Sequence, residues 1–375
     1  MSGISPDDRL RVTYRLFCGE GENPQDKATD IAYEQTVELP AECVGDAITE
    51  RVVGRVESVE SGAGRGGTAV ISFSPEWIGN DAAQLANLLF GNISLKKGIV
   101  VTGIEWPQTV IETFGGPSHG IAGVRALTAA AVNRPLLCAA LKPVGLTADE
   151  LGELCYRFAA GGIDLIKDDH GLTDQPSAPF DERVRCCAEA VARANDATGG
   201  CTLYFPNVTG PATSLDRRLE VAGKAGCKGV MVSPLLAGLD SLQHISRETG
   251  LAVLAHPALA GAFFGENHGI LPEVLLGDVF RVLGADGVIY PNVGGRFPFD
   301  DRTCQAINER LRGDLGNIRP ALPAPGGGID VKIVPHWLGQ YGPDTILLIG
   351  ASLYRQGDLT QATRRLVDTV KRCAG

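Results

Sequence analysis

From Pro135 onward the chain repeats one pattern eight times: a short apolar, β-rich run followed by a stretch with the spacing of an amphipathic helix. The runs are LLCAALKP, IDLIKDDH, TLYFPNVT, GVMVSPLL, AVLAHPAL, GVIYPNV, IRPALPA and TILLIGAS, and the last is followed by the helical pattern that begins at Asp358. Eight such units in roughly 240 residues have the count and the length of a closed (β/α)8 barrel. An open doubly wound sheet is the other architecture built from such units, but it usually stops nearer about five or six strands. The expected fold class is therefore α/β, with a C-terminal (β/α)8 TIM barrel over residues 126–375.

The first third has a different rhythm. RLRVTYRLFC alternates like a strand, ATDIAYEQTVEL comes next, RVVGRVESVE and GGTAVISFSPEW read as two strands around a glycine-rich turn, and DAAQLANLLFGN reads as a helix. An N-terminal α+β domain of ferredoxin-like type is expected over residues 1–125, joined to the barrel through TFGGPSHGIAG.

A chain of 375 residues buries a generous core without needing metals or disulfides for stability. Its net charge of −10 argues against nucleic acid or an anionic membrane as partner, since both attract a basic face. The ten cysteines are irregularly spaced with no CxxC pair, and the opening MSGISPDDRLRV lacks a charged stretch followed by an apolar one. No apolar run approaches the roughly 18 residues of a membrane span. A reduced, cytoplasmic enzyme with free thiols is expected, with Cys186 and Cys187 read as small buried helix residues.

In a βα barrel the C-terminal ends of the strands face the active site, so the residues standing there carry functional information. The second run ends in Lys167, Asp168, Asp169 and His170. Strand alternation sends Lys167 and Asp169 to one side and Asp168 and His170 to the other, unless the strand ends within the run and frees the later residues. Two aspartates offer the oxygen ligands that a hard cation such as Mg²⁺ requires, whereas an ammonium group cannot ligate. An ion-pair cluster at the barrel mouth is the other reading of these four residues.

Lys142 ends the first strand, either as an acid/base and enolate stabiliser or as a lysine snorkelling to the surface. APGGGID and LIGASL end strands seven and eight, where backbone N–H groups either cradle a phosphate or only turn the chain. His256 is an acid/base candidate or a satisfied structural group. Arg296, on the glycine-flanked loop after strand six, is a mobile arm for a phosphate or carbonyl, or a solvated charge. His119, His244, His268 and His336 form no constellation.

At these residues the chain resembles the large subunit of ribulose-1,5-bisphosphate carboxylase/oxygenase (RuBisCO), and more closely the RuBisCO-like, or form IV, proteins that do not fix CO₂. The resemblance covers nearly the whole chain and rests on LKP at the first strand end, GGIDLIKDD at the second, and the glycine loops at the seventh and eighth. It implies that Lys167 reacts with CO₂ to form a carbamate, which turns a cation into an oxygen ligand, and that Asp169 is a metal ligand. The family's next ligand is glutamate, and here His170 takes its place in the set Lys167, Asp169 and His170 for Mg²⁺. Lys142 matches the catalytic lysine of strand one, but the second lysine of that motif is replaced by Val144 and a one-residue shortening.

His256 matches a strand-five histidine, while Pro257 stands for the family's arginine, Ile289 for its strand-six histidine and Arg296 for its mobile-loop lysine. The first-phosphate backbone sites match Gly327, Gly328, Gly350 and Ala351. The losses fall on the groups that hold a second phosphate, so the resemblance implies a sugar monophosphate with a less polar other end. IAYEQTVELP and LLFGN resemble segments that place Glu34 and Asn92 in a neighbouring subunit's site, implying a homodimer with shared active sites and no small subunit. Read alone, Glu34 is a solvated charge beside a strand.

KDDHG, LAHPALAG and PNVGGRF look most like the methylthioribulose-1-phosphate isomerase branch of methionine salvage. That branch moves a carbonyl along 5-methylthioribulose 1-phosphate through enediolate intermediates, with Lys142, Lys167, His256, Glu34 and Asn92 as the implied catalytic residues. The alternative is a decarboxylase or transcarboxylase-hydrolase of a phosphorylated branched 3-oxo sugar acid, which also makes an enediolate. A sensor that binds a sugar phosphate without turning it over is the non-enzymatic alternative.

Overall fold

The computed structural model describes residues 8–62 and 65–374; residues 1–7, part of the opening read for a leader, and Ala63 and Gly64 of the glycine-rich turn lie outside them. In β1 (Leu10–Leu16) every second residue, from Leu10 through Val12 and Tyr14 to Leu16, is buried, the period of a strand with one face on a core. β2 (Arg55–Ser61) pairs antiparallel with β3 (Gly67–Phe73), which pairs with β1. β4 (Ile99–Glu105) lies antiparallel on the other side of β1.

The helices Pro24–Glu34 and Ala82–Phe90 complete the β-α-β-β-α-β order of a ferredoxin-like unit. The first starts where Asn23 accepts the Asp26 N–H and Pro24 fills the first helical position. ATDIAYEQTVEL, whose pattern left its type open, is thus largely the second half of this helix. β4 has no counterpart among the strands expected from periodicity. A bulge opposite Thr13 and Tyr14 inserts Thr102 and breaks the period of two by which strands are recognised.

The barrel strands are β5 (Leu136–Ala140), β6 (Leu165–Lys167), β7 (Leu203–Phe205), β8 (Gly229–Val232), β9 (Ala252–Ala255), β11 (Gly287–Pro291), β12 (Leu322–Gly326) and β13 (Ile346–Ile349). They pair parallel in chain order, β13 returns to β5, and the Asn207–Met231 bridge joins β7 to β8, so the sheet closes. The two-residue β10 (Gly269–Ile270), from the loop after the fifth barrel strand, pairs parallel with β4 and joins the N-terminal sheet. The two units are thereby stitched by backbone hydrogen bonds as well as side chains. Among the described residues no helix is long and apolar enough to cross a membrane, and all ten cysteines are free.

The barrel interior is a separate apolar cluster of alternate strand residues: Leu136 and Cys138, Leu165, Phe205, Met231, Ala252 and Leu254, Ile289, Leu322 and Ala324, and Ile346. Carried two residues further, the same alternation points Lys167 and His256 toward the mouth, above the packed layers, and carried four beyond Ile346 it does the same for Gly350. Helix Gly120–Thr128 contributes Val124 to this cluster and closes its lower end. Buried Asp286 ties that helix down by accepting the N–H groups of His119 (2.7 Å), Gly120 (2.6 Å) and Val253 (2.8 Å). At the same end Arg134 and Asp164 form a buried two-pronged pair at 2.7 and 2.6 Å.

Asp286→Ala leaves three N–H donors, two of them fully buried, without an acceptor, and thermal unfolding of the variant should show a loss of about 3 kcal/mol or more.

Candidate active site

β6 ends at Lys167, so only the first of the four ionisable residues belongs to the strand. The strand's alternation still governs Asp168, which points away from the barrel axis into the wall. There its carboxylate accepts from Arg183 Nε (3.1 Å), Tyr204 Oη (2.8 Å) and the Asn207 N–H (2.9 Å), with Asp168 and Arg183 both fully buried. Asn207 in turn donates its amide to the carbonyls of His170 (3.1 Å) and Leu172 (2.9 Å). The loop leaving β6 is thus held from beneath, and Lys167 and Asp169 face the mouth.

Lys167 is 2% exposed, and its amine meets the Asp168 carbonyl at 2.9 Å and Met231 Sδ at 3.3 Å. Burial lowers its pKa and the nearby Lys142 charge adds to the effect, against the opposing pull of Cys138, Asp169 and Asp168. Asp169 pairs instead with the ammonium group of Lys142, and lies 3.4 Å from His170 Nδ1. Burial alone would raise the Asp169 pKa, but the hydrogen bonds from His170 and Lys142 outweigh it and hold the carboxyl well below its usual range.

His170 reaches across the mouth to stack on His256, with ring centroids 4.6 Å apart and planes 11° from parallel. His256 Nδ1 accepts the Ala258 N–H at 3.2 Å, which puts the proton of the neutral ring on Nε2. Burial, with the neighbouring Lys167 and His170, pushes the His256 pKa down to about 2. The neutral ring therefore offers a donor, not a positive charge, to whatever occupies the mouth. Contacts run in a line from strand one to strand five: Lys142, Asp169, His170, His256.

The two glycine loops meet beside strand one. Ser352 Oγ bonds Asp330 Oδ1 and accepts the Val331 N–H, both at 3.1 Å, locking the loop after β12 to the loop after β13. Gly327 and Gly328 have φ of +86° and +73°, where a side chain would be strained. A Cβ on Gly328 would lie 3.0 Å from Gly295 Cα, so this glycine lets the strand-six loop approach. That contact brings the neighbour of Arg296 against the glycine loop, while Arg296 itself is exposed with its guanidinium 5.8 Å from the Phe297 ring centroid. Nothing lies within 4 Å of a Cβ built on Gly327 or Gly350, so backbone there faces open space, with exposed Ala351 beside it.

Glu34 and Asn92 are brought together within the N-terminal domain, 3.2 Å apart, and Lys96 binds Glu34 at 2.7 Å and Asp30 at 2.7 Å. The hydrogen bond from Lys96 lowers the Glu34 pKa, keeping it ionised. Sequence reasoning does not single out Lys96, Arg183, Tyr204 or Tyr354. Lys96 stands close enough behind LLFGN for its charge to serve as a signal, but the other three lie on wall elements whose side-chain targets are set only by packing.

Among the described residues no three His, Cys, Asp or Glu side chains converge as a metal site. Asp169 and His170 supply two donors, and the set reaches three only if the buried amine of Lys167 becomes an oxygen donor. With that modification the residues fit a hard divalent cation; without it they do not.

Residues 120–355 match the model of the ribulose bisphosphate carboxylase large chain, catalytic domain. The chain is 41% identical over 366 residues to a 5-methylthioribulose-1-phosphate isomerase of Rhodospirillum rubrum, covering 97% of this chain and 96% of that protein. It is 34% identical over 306 residues to a 2,3-diketo-5-methylthiopentyl-1-phosphate enolase of Microcystis aeruginosa, covering 80% of this chain and 77% of that one. The crystal structure of a Rubisco-like protein from Rhodopseudomonas palustris superposes with a TM-score of 0.88 at 38% identity, over 97% of this chain and 98% of that chain.

Asp168→Ala strands the Arg183 guanidinium in the wall without its counter-charge, and chemical denaturation should register a loss of about 3–5 kcal/mol.

Proposed function

Because the chain belongs to the ribulose bisphosphate carboxylase large-chain family, we propose that it enolises a sugar monophosphate with an apolar tail, isomerising 5-methylthioribulose 1-phosphate to a 1-methylthio-pentulose 5-phosphate. The observation that carries this reading is the asymmetry of the mouth. Open glycine backbone at Gly327 and Gly350, with Gly328 packed against the strand-six loop, Ala351 alongside and Arg296 nearby, suits one phosphate on the strand-one side. Across the barrel, strand five offers neutral His256, Pro257 and the exposed side chain of Leu259, which suit a thioether and not a second dianion.

In this mechanism the glycine loops anchor the phosphate and place the carbonyl over the lysines. The Lys167 amine, once it has given up its ammonium proton, attacks CO₂, forming an N–C bond and releasing one further proton, to give a carbamate. That carbamate, Asp169 and His170 would hold Mg²⁺, which when bound supplies a Lewis acid for the substrate's carbonyl and hydroxyl oxygens. Lys142 or carbamylated Lys167 takes the proton from the carbon beside the carbonyl and returns one to the former carbonyl carbon while the hydroxyl proton of the enediol moves between the two oxygens, and a second such round carries the carbonyl one carbon further, to the side of the methylthio carbon. His256, fixed as the Nε2–H tautomer, donates to a substrate oxygen as charge builds on it.

The same reading includes a homodimer. Leu95, 86% exposed, stands beside Asn92, and the helix Asp46–Arg51 has no buried residue although it carries Ile48. Val144, Leu236, Leu259, Phe297 and Ile333 form a second exposed apolar set on the mouth loops. A twofold pairing covers each set with the other and carries Glu34 and Asn92 to the partner's mouth. A second reading, enolisation of a 2,3-diketo-5-methylthiopentyl 1-phosphate, is favoured by the 34% likeness to the Microcystis aeruginosa enzyme and uses the same groups.

Proton NMR of 5-methylthioribulose 1-phosphate in D₂O with the protein, Mg²⁺ and bicarbonate should show new methylthio-pentulose signals and deuterium beside the carbonyl, with no CO₂ released. Lys167→Ala should reduce the rate at least about a hundredfold. Conversion of the diketo phosphate alone would select the second reading. Mixing Glu34→Gln with Lys167→Ala protein should restore about a quarter of wild-type activity through hybrid dimers, whereas separate sites would restore none.

A further inference from the structure

We propose that Tyr354 is a positioning residue that couples phosphate binding at Gly350–Ala351 to the placement of Lys142, an inference that rests on the roles assigned to those residues above. β5 and β13 are neighbours, and their ladder ends at the pair Ile349–Ala139. Beyond that point Leu141 turns its N–H to the Lys167 carbonyl on the β6 side, at 2.9 Å. By alternation, the Ala140 carbonyl and the Lys142 N–H face the other way, toward a strand that has already stopped. Both groups would be orphaned.

The Tyr354 hydroxyl fills that slot. It accepts the Lys142 N–H and donates to the Ala140 carbonyl, each at 3.0 Å, doing with one oxygen what the next residue of a longer β13 would do with its backbone. Burial raises the phenol's pKa above its usual value, so the hydroxyl keeps the proton that it donates. The ring is held edge-on against Phe158, with centroids 5.6 Å apart at 82°. Tyr354 is also the last residue of the short helix Ala351–Tyr354, whose N-cap is Gly350. A phosphate drawing the backbone at Gly350 and Ala351 acts on the same four-residue segment that grips Lys142. The far end of the substrate thereby sets the backbone from which the lysine reaches the carbonyl carbon.

The test uses wild type and Tyr354→Phe, which removes the hydroxyl and keeps the ring against Phe158. With whole substrate the variant should lose roughly ten- to a hundredfold in kcat with KM nearly unchanged. With 5-methylthioribulose lacking its phosphate, added phosphite dianion should accelerate solvent-deuterium exchange in wild type and fail to do so in Tyr354→Phe. A purely structural role would lower the melting temperature and leave the phosphite acceleration intact, which overturns the proposal. Should Tyr354→Phe not fold, hydrogen exchange decides in the wild-type protein: inorganic phosphate should slow exchange in the peptide spanning residues 137–144, and unchanged exchange with phosphate bound overturns the coupling. Wild type that binds neither phosphite nor phosphate removes the assigned phosphate site, and the coupling with it.

Discussion

The geometry of the mouth depends on one buried interaction, the Asp168 carboxylate held in the barrel wall by Arg183, Tyr204 and the Asn207 backbone. A strand gives its successive side chains to opposite faces, so anchoring Asp168 outward obliges Lys167 and Asp169 to face inward. The cost of burying a carboxylate is offset there by a guanidinium and two further donors. Without that anchor, four ionisable residues in a row would have no reason to distribute themselves between wall and mouth.

That distribution leaves one lysine with no counter-ion in a nearly closed interior, while a second lysine has taken the available carboxylate. Desolvation lowers the pKa of the first, and the second is held in an ion pair with Asp169. Two chemically identical side chains, from adjacent strands, are thus given different surroundings, one buried without a carboxylate partner and one paired with Asp169. The stacked His170 and His256 extend the line, and His256 adds no charge to it because burial keeps that ring neutral. The glycine loops close the other side, with Ser352 and Asp330 fixing their spacing.

Much of this was legible in the chain. Seven of the eight apolar runs contain a whole barrel strand and the seventh in order, IRPALPA, holds the first three residues of β12, since a strand buried on both faces must be apolar along its length and nothing else in the chain imitates eight of them. The strand-end residues Lys142, Lys167, Asp169, His170 and His256 do converge, because a closed barrel leaves the continuation of its inward positions nowhere else to go. β4 was hidden by its bulge, and β10, two residues long, exists only because β4 offers it an open edge. Tyr354 looked like any tyrosine after a glycine turn; its function as a substitute strand partner depends on β13 ending before β5.

The amino-acid sequence by itself determined the eightfold βα pattern, the separate N-terminal unit and the face on which the ionisable strand-end residues gather. All three arise from periodicity and from the position of ionisable groups relative to it, both of which are local properties. Only the tertiary structure decided that Asp168 is a wall anchor while Asp169 serves the mouth, that His170 stacks on His256, and that Lys96 steadies Glu34. Those outcomes depend on which groups from distant segments arrive within about 3 Å of one another, and desolvation and hydrogen bonding act only at that range.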